Sequence, residues 1–243
     1  MSRCGAIDAT AVRWPRITKL KLLALDTSTE YCSVALWRDG ALEHRETHAV
    51  QRHSELILPM VGELLDDFGL ELGELDGIAF GAGPGSFTGL RIACGVVQGL
   101  AFGAGLPVVA VGTLAALAQE ADADRVIACL DARMGEIYHA AYQREGGRWR
   151  QVCATSVGPA HAAPVLEGNG WIGCGSGFEV YGGALAECYG GQLDGVTHGL
   201  HPHARAIARL AQPVLEAGGG LPAGHAAPIY VRDNVALKMH EQR

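Results

Sequence analysis

The stretch GAGPGSFTGLRIACGVVQGLAFGAG, from Gly81 to Gly105, restricts this chain more than any other. Gly81, Gly83, Pro84 and Gly85 open it, so the backbone turns sharply where no Cβ obstructs it. A helix follows, with Ser86 as its N-cap and Arg91 as the only charge in its turns. A helix that is apolar or small nearly all round needs cover on more than one side. Gly95, Gly99 and Gly103 recur every four residues along one ridge, and a ridge without side chains lets a second backbone come close. Two readings of the ridge stay open: a seam in the chain's own core, and a face kept for a partner protein.

The chain's 243 residues suffice for two lobes of ordinary domain size. Glycine is abundant at 34, but 49% of residues are hydrophobic and no low-complexity tract occurs, which points to a globular chain with many turns. The net charge of −7, with no Lys/Arg cluster, argues against a large phosphate-binding face of its own. Nucleic acid would be met mainly through another protein. Seven cysteines without a CxxC pair fit reduced thiols in a cytoplasmic protein. Ile92–Val111 is twenty residues without a charge, yet Gln98, Pro107 and the glycines favour a helix, a turn and a buried strand over a membrane span. Residues 1–19 contain no apolar signal-peptide core and read as a poorly ordered extension.

In chain order, Leu20–Leu25 is a strand ending on Asp26-Thr27-Ser28-Thr29. Tyr31–Arg38 and Ala41–His48 follow as a hairpin across Asp39-Gly40. A helix capped by Ser54 runs to Phe68, with Pro59 bending it; its apolar residues span roughly 200° of the circumference, again more than one buried face requires. Gly77–Gly81 is a fourth strand, Leu106–Val111 a fifth, and a short helix covers Leu114–Gln119. The pattern then restarts: VIACLDARMGEIYHAA lies over LLALDTSTEYCSVAL, with Asp131 matching Asp26 at a separation of 131 − 26 = 105 residues. A hairpin across Glu145-Gly146-Gly147, a helical patch at Ala160–Glu167, a strand at Trp171–Cys174, and helices at Val180–Tyr189 and Ala204–Ala217 complete the copy. The expected division is an extension over 1–19, lobes over 20–121 and 122–225, and a tail over 226–243 that packs back on a lobe with a mobile end. Arg232, Lys238 and Arg243 lie in that tail.

The segments LALDTSTEYCSVAL, RHSELILPMV, GAGPGSFTGLRIACGVVQGLA, LPVVAVGTL, LDARMGEIYHAAY and APIYVRDNVA resemble, in that order, the bacterial TsaB family of tRNA threonylcarbamoyladenosine biosynthesis proteins. The resemblance covers about residues 20–240, and GPGSFTGLR with DARMGEIY is its most specific part. It implies an α/β, two-lobed actin/Hsp70-like (ribonuclease H-like) fold with a duplicated βββαβα unit, as the repeat suggests independently. It also implies a non-catalytic subunit that binds and activates a TsaD-like catalytic subunit, with a TsaE-like ATPase joining and tRNA reached through the complex. No cofactor is expected in the chain itself, with ATP or ADP entering only at the complex interface. The catalytic relative carries two metal-binding histidines four apart after its LP-strand; those positions are Thr113 and Leu117 here, and neither can serve.

The candidate partner interface comprises His53, Leu56, Ile57, Met60, Glu63 and Leu64 on the first helix, and Arg91, Gly95, Val96, Gly99, Phe102 and Gly103 on the second. Exposed apolar surface of this kind would also let the lone chain homodimerise. Asp26, Ser28, Thr29, Asp131 and Arg133 are the candidates for a cleft or a nucleotide contact, although the turns DTST and DARM lack the glycine of an Asp-x-Gly phosphate cradle. Arg133 and Glu136 either pair locally or face the cleft. An autonomous nucleotide-dependent enzyme of the same fold is the rival reading, and a glycoprotease-like hydrolase using Ser86 another, though Ser86 sits in no GxSxG elbow. GAGPGSFTG before a helix raises an anion-binding loop as well as a structural tight turn, and the tight turn is favoured because the Lys of GxxxxGK[ST] and the GxGxxG spacing are both absent. His198, His201 and His203 in THGLHPH raise a metal, without a thiol or carboxylate at tight spacing to complete the set, and none is expected.

Overall fold

The computed structural model describes Trp14, Pro15, Ile17 and residues 19–231. The first sheet contains β1 (Lys21–Asp26), β2 (Tyr31–Arg38), β3 (Ala41–His48), β4 (Gly77–Gly83) and β5 (Val108–Gly112), in the order β3-β2-β1-β4-β5. The second contains β6 (Arg125–Arg133), β7 (Glu136–Glu145), β8 (Arg148–Pro159), β9 (Trp171–Cys174) and β10 (Leu193–Thr197), in the order β10-β9-β6-β7-β8. Outward from β1 and from β6, the two share one plan. In each, an antiparallel meander lies on one side of the first strand and two parallel strands on the other. This is the duplicated, two-lobed actin-like arrangement.

Both hairpins obey their turn chemistry. Asp39 and Gly40 take φ of 50° and 94°, and Gly146 and Gly147 take 57° and 78°, so both central residues of each turn are left-handed, as the twist of paired strands favours. The ladder pairs Glu145 with Arg148, which leaves Gly146-Gly147 alone as the second turn.

Helix α1 (His53–Asp67) and helix α2 (Phe87–Ala104) cover one face of the first sheet. Leu23, Leu25, Val34, Leu36 and Phe80 point toward them, while the alternate residues Leu22, Ala24, Ala35 and Ala79 point the other way. That second face is covered by α5 (Ala204–Glu216), through Ile207, Ala208, Ala211 and Leu215. Helix α3 (Thr113–Glu120), which comes after the first sheet in sequence, sends Leu114, Leu117 and Ala118 against Val126, Ala128 and Leu130 of the second. Each repeat's last helix thus crosses to the other repeat's sheet, and the two lobes are interlocked. Helix α4 (Ser176–Tyr189) covers the far face of the second sheet through Phe178, Leu185 and Tyr189.

Several boundaries differ from the sequence reading, each for a local reason. Helix α1 starts at His53 with Arg52 at the cap position, so Ser54 lies in the first turn and caps nothing. Only one 3-10 turn, Ala160–Ala162, forms in the expected helical patch, because Pro164, Gly168 and Gly170 keep the chain beyond it from continuing as a helix. Strand β10 was not expected: Asp194-Gly195 breaks its alternation, and it is recognisable only by its ladder to β9. The uncharged Ile92–Val111 segment is α2, a left-handed C-cap at Gly105 with φ 69°, and β5. Helix α2 is the one helix among the described residues long and apolar enough to cross a membrane, with mean hydropathy 1.3, and it packs on β4 instead.

Residues 221–229 contact the first lobe. Leu221 bridges to Val108 at the β5 edge, the Ala226 carbonyl accepts from Gln98 Nε2 at 2.8 Å, and the Ile229 N–H donates to the Ala82 carbonyl at 2.7 Å. Arg232, Lys238 and Arg243, and nearly all of the 1–19 extension, lie outside the described residues.

Candidate functional site

Two regions were expected to carry function, the ends of β1 and β6 between the lobes and the outer faces of α1 and α2. At the first, the DTST turn is filled by the chain itself. The Ser28 carbonyl accepts from Ser86 N at 2.7 Å, and Thr27 Oγ1 donates to the Gly89 carbonyl at 2.7 Å. A Cβ at Gly85 would lie 2.5 Å from the Ser28 carbonyl oxygen, and one at Gly89 would lie 1.8 Å from that of Thr27. Those glycines are therefore required by backbone-to-backbone contact, where a phosphate cradle would need open N–H groups. Ser86 Oγ accepts from Gly89 N at 3.3 Å, so the candidate nucleophile is employed as the cap of α2.

Asp26 is buried at the bottom of this turn. Its Oδ1 accepts from Ser28 N at 3.0 Å and Ser28 Oγ at 2.8 Å, while Oδ2 is buried without a partner. A Cβ at Gly81 would come within 1.9 Å of Oδ2, so that glycine makes room for the carboxyl. Burial pushes the Asp26 carboxyl up to about 7, against the opposing pull of the Ser28 hydrogen bonds. Thr29 takes part only in the local turn, its Oγ1 accepting from Tyr31 N at 3.3 Å.

The matching turn of the second lobe is open. Asp131 Oδ1 accepts from Arg133 N at 2.8 Å and Tyr181 Oη at 3.1 Å, and Arg133 Nη1 meets Oδ2 at 3.0 Å. Arg133 is 86% exposed, and Arg133, Met134 and Gly135 all take positive φ, so the turn projects its side chains outward. Arg133 thus pairs with Asp131, two residues away. Asp26 and Asp131, equivalent in sequence, are one sealed and one capped by a guanidinium.

Around His201 the structure gathers residues far apart in sequence. His201 Nε2 lies 2.7 Å and His203 Nε2 3.3 Å from Glu46 Oε2, and the His201 ring stacks on Tyr31 at 3.9 Å. His203 Nδ1 accepts from Arg205 N at 2.9 Å, and burial holds its imidazole down at about 3. Arg205 grips Glu120 of α3, and these groups with His44 line a cavity of about 220 Å³ between the lobes. His198 pairs instead with Glu179 at 3.0 Å. Among the described residues no group of three His, Cys, Asp or Glu is placed to hold a metal ion. Thr113 Oγ1 donates to the Pro84 carbonyl and Leu117 is wholly buried.

The outer faces of α1 and α2 divide the candidate interface residues. Ile57, Leu64, His53 and Met60 are buried, the first at 0% exposure, and belong to the chain's own side of α1; the sequence assigned them outward one helical phase too far. Leu56 is half-buried against the same core, and Glu63 pairs with Arg45 of β3 at 2.9 Å. The exposed crest of α1 is Glu55, Pro59, Gly62 and Asp66, flanked by Leu58 at 50% exposure, a residue outside the candidate set. On α2 the division is cleaner. Gly95, Gly99 and Gly103 are exposed, and a Cβ built on any of them meets nothing within 4 Å. Beside them Phe102 is 83% exposed, Val96 is half-buried, and the Arg91 guanidinium lies 3.3 Å over the Phe87 ring. Among the described residues nothing packs on the glycine ridge, which faces outward.

Comparison with known proteins gives this geometry a context. The family model of TsaD, tRNA N6-adenosine threonylcarbamoyltransferase, matches residues 46–165. The tRNA threonylcarbamoyladenosine biosynthesis protein TsaB of Escherichia coli (strain K12) is 39% identical over 227 residues, covering 90% of this chain and 97% of its own. Its counterpart in Haemophilus influenzae is 40% identical over 232 residues, covering 90% and 96%. Among solved structures, YeaZ from Pseudomonas aeruginosa matches with a TM-score of 0.80 at 42% identity, covering 87% of this chain and 99% of YeaZ. With identity of that extent over nearly the full length of its relatives, and the same two-lobed fold, the chain belongs to the TsaB family.

Proposed function

We propose that this chain acts in tRNA threonylcarbamoyladenosine biosynthesis as a non-catalytic subunit, supporting a TsaD-like transferase that docks on the outer faces of α1 and α2. The observation that carries the reading is the outward glycine ridge. Three glycines in the exposed face of one helix each weaken it by about 0.8–1 kcal/mol relative to alanine, and no contact among the described residues requires them. Close approach of a second backbone does require them. Phe102 beside the ridge and Leu58 beside the exposed crest of α1 supply the apolar surface that such an approach would bury.

The interlobe turns support the non-catalytic half of the reading. Gly85 and Gly89 are filled by Thr27 and Ser28, Asp26 is sealed, and Ser86 caps a helix, so neither autonomous nucleotide hydrolysis nor a serine hydrolase has its groups assembled. A TsaE-like ATPase and nucleotide at the complex interface extend the same proposal, with tRNA held chiefly by other subunits because this chain carries −7. The test is reconstitution with each subunit omitted in turn. Modification should require this chain together with the transferase, and this chain alone should modify nothing; activity of the lone chain would overturn the reading.

A further inference from the structure

We infer that the segment crossing from the second lobe back to the first, residues 198–203, is a proton-controlled clasp: two histidine–carboxylate pairs fix it to opposite lobes, and it loosens as pH rises through neutrality. The chain passes between the lobes twice, through α3 and through this segment, which joins β10 to α5. On the second lobe His198 Nδ1 lies 3.0 Å from Glu179 Oε2 of α4, and Glu179 Oε1 accepts from Gly199 N at 3.0 Å. On the first, His201 Nε2 donates to Glu46 Oε2 of β3 at 2.7 Å, and its ring lies flat on that of Tyr31. Histidine is the side chain whose charge changes near neutral pH, so both pairs are ion pairs only while the imidazole holds its second proton. A charged imidazole over an aromatic face also gains an attraction that the neutral ring lacks. The neighbouring contact is of another kind. Arg205 Nε donates to Glu120 Oε2 at 2.8 Å and ties α5 to α3, and a guanidinium keeps its charge throughout this range. The clasp therefore opens beside a joint that does not.

The other groups around His201 either hold their state or push the same way. Burial keeps His203 neutral, with Arg205, His44, His201 and Arg209 adding to it. Its Nδ1 accepts from Arg205 N while Nε2 lies 3.3 Å from Glu46 Oε2, so His203 seats the start of α5 without changing charge near neutrality. His44 of β3 faces Arg205 Nη1 at 3.4 Å as the acceptor, since a guanidinium only donates, and His48 lies against the far side of the contact, on Tyr31. From β1 comes Asp26. Burial holds its carboxyl protonated up to about pH 7, the Ser28 hydrogen bonds and the charge of His201 favour its ionised form, and Glu46 opposes it. With falling pH both imidazoles are charged against their carboxylates and Asp26 is neutral, so the segment is held on both sides. With rising pH the imidazoles lose their charge, Glu46 loses the cation that balances it, and Asp26 ionises with Oδ2 unpartnered. In each case the folded joint favours the protonated form, so its stability is present at low pH and is lost as pH rises.

Hydrogen exchange of the purified full chain between about pH 6 and about pH 8.5, each rate divided by that of the unstructured peptide, tests the clasp. The segment through the first turn of α5 contains the Ala204 amide, which donates to Ser33 Oγ at 3.0 Å, and the Arg205 amide on His203. Its protection should fall about tenfold over that range, while the β6–β7 hairpin changes little. His201→Gln can still donate to Glu46 but gains no charge, so its protection should be low already at pH 6 and its profile flatter. His198→Gln should do the same to a smaller extent, because its pair is the more exposed. Asp26→Asn should remove part of the loss above pH 7 and leave the rest. Wild-type protection that does not change with pH overturns the inference, and so does a wild-type profile in His201→Gln. A response that survives in His201→Gln and vanishes in Asp26→Asn belongs to Asp26 alone and overturns it too. Equal loss of protection over both lobes would make the effect global unfolding, with no clasp.

Discussion

Replacing Gly95, Gly99 and Gly103 by alanine separates what the ridge does for this chain from what it does for a partner. Each glycine lies in α2, with exposed backbone, and each added Cβ meets nothing within 4 Å. Glycine in a helix interior is about 0.8–1 kcal/mol worse than alanine, and Gly103, next to the end of the helix, should gain least. The sites are one turn apart with no shared contact, so the effects should nearly add, to about 2–3 kcal/mol of stabilisation. For a chain of this size that is roughly 5–10 °C in the midpoint of thermal unfolding. Urea titration and calorimetry on the lone chain measure the gain, and titration with the transferase measures the cost, which should appear as weaker binding by the stabilised variant. Gly89→Ala is the internal contrast: its Cβ would lie 1.8 Å from the Thr27 carbonyl oxygen, so it should destabilise. A triple variant that loses stability would refute the claim that the ridge is free of the fold. One that gains stability and binds with unchanged affinity would refute the claim that the ridge is a seam.

Three other outcomes rest on the same geometry. Asp26 has a carboxyl raised to about 7 in the fold against about 4 unfolded, so the protonated form is the one the fold favours; stability is fully present below pH 4 and is lost as pH rises through 7, by up to about 4 kcal/mol. Asp26→Asn should remove that dependence, and urea midpoints at pH 5 and pH 8 that respond equally in both proteins would contradict it. Ile57→Ala should cost about 2–5 kcal/mol and Leu58→Ala well under 1, as chemical denaturation would show, because one is fully buried and its neighbour half exposed. Ser86→Ala should cost about 1 kcal/mol through loss of the α2 cap, with the modification rate in the reconstituted system unchanged once the variant is folded; loss of activity without loss of stability would give Ser86 a chemical role.

What was legible in the sequence was local. Ser86 before an apolar run, Asp39-Gly40 between alternating strands and the return of the β1 pattern at Asp131 each depend on residues close together, and each appears as read. The phase of α1 was not legible in the same way. Eight apolar residues covering roughly 200° show that the helix has two apolar sides, but which side meets the sheet is decided by packing, and Ile57, Met60 and Leu64 went inward. The exchange of α3 and α5 between sheets and the meeting of His201 with Glu46, 155 residues away, are products of the tertiary arrangement and leave no local pattern. The glycine-rich turn carried both kinds of information. A Cβ on Gly95, Gly99 or Gly103 would meet nothing among the described residues, whereas Gly85 and Gly89 answer to Ser28 and Thr27, and composition alone does not distinguish them.

The most direct test of the central claim is threonylcarbamoyladenosine formation by the reconstituted subunits with Gly99→Glu in place of the wild-type chain. The side chain enters open space on an exposed helix face, so circular dichroism and the thermal midpoint should stay close to wild type. Met60→Glu tests the core instead, since Met60 is only 8% exposed. A charge placed in a closely packed seam should remove transferase binding altogether, and with it tRNA modification. A folded Gly99→Glu chain that binds the transferase and supports modification at the wild-type rate would contradict the account, because the face that the glycine ridge keeps clear would then serve no partner in this reaction.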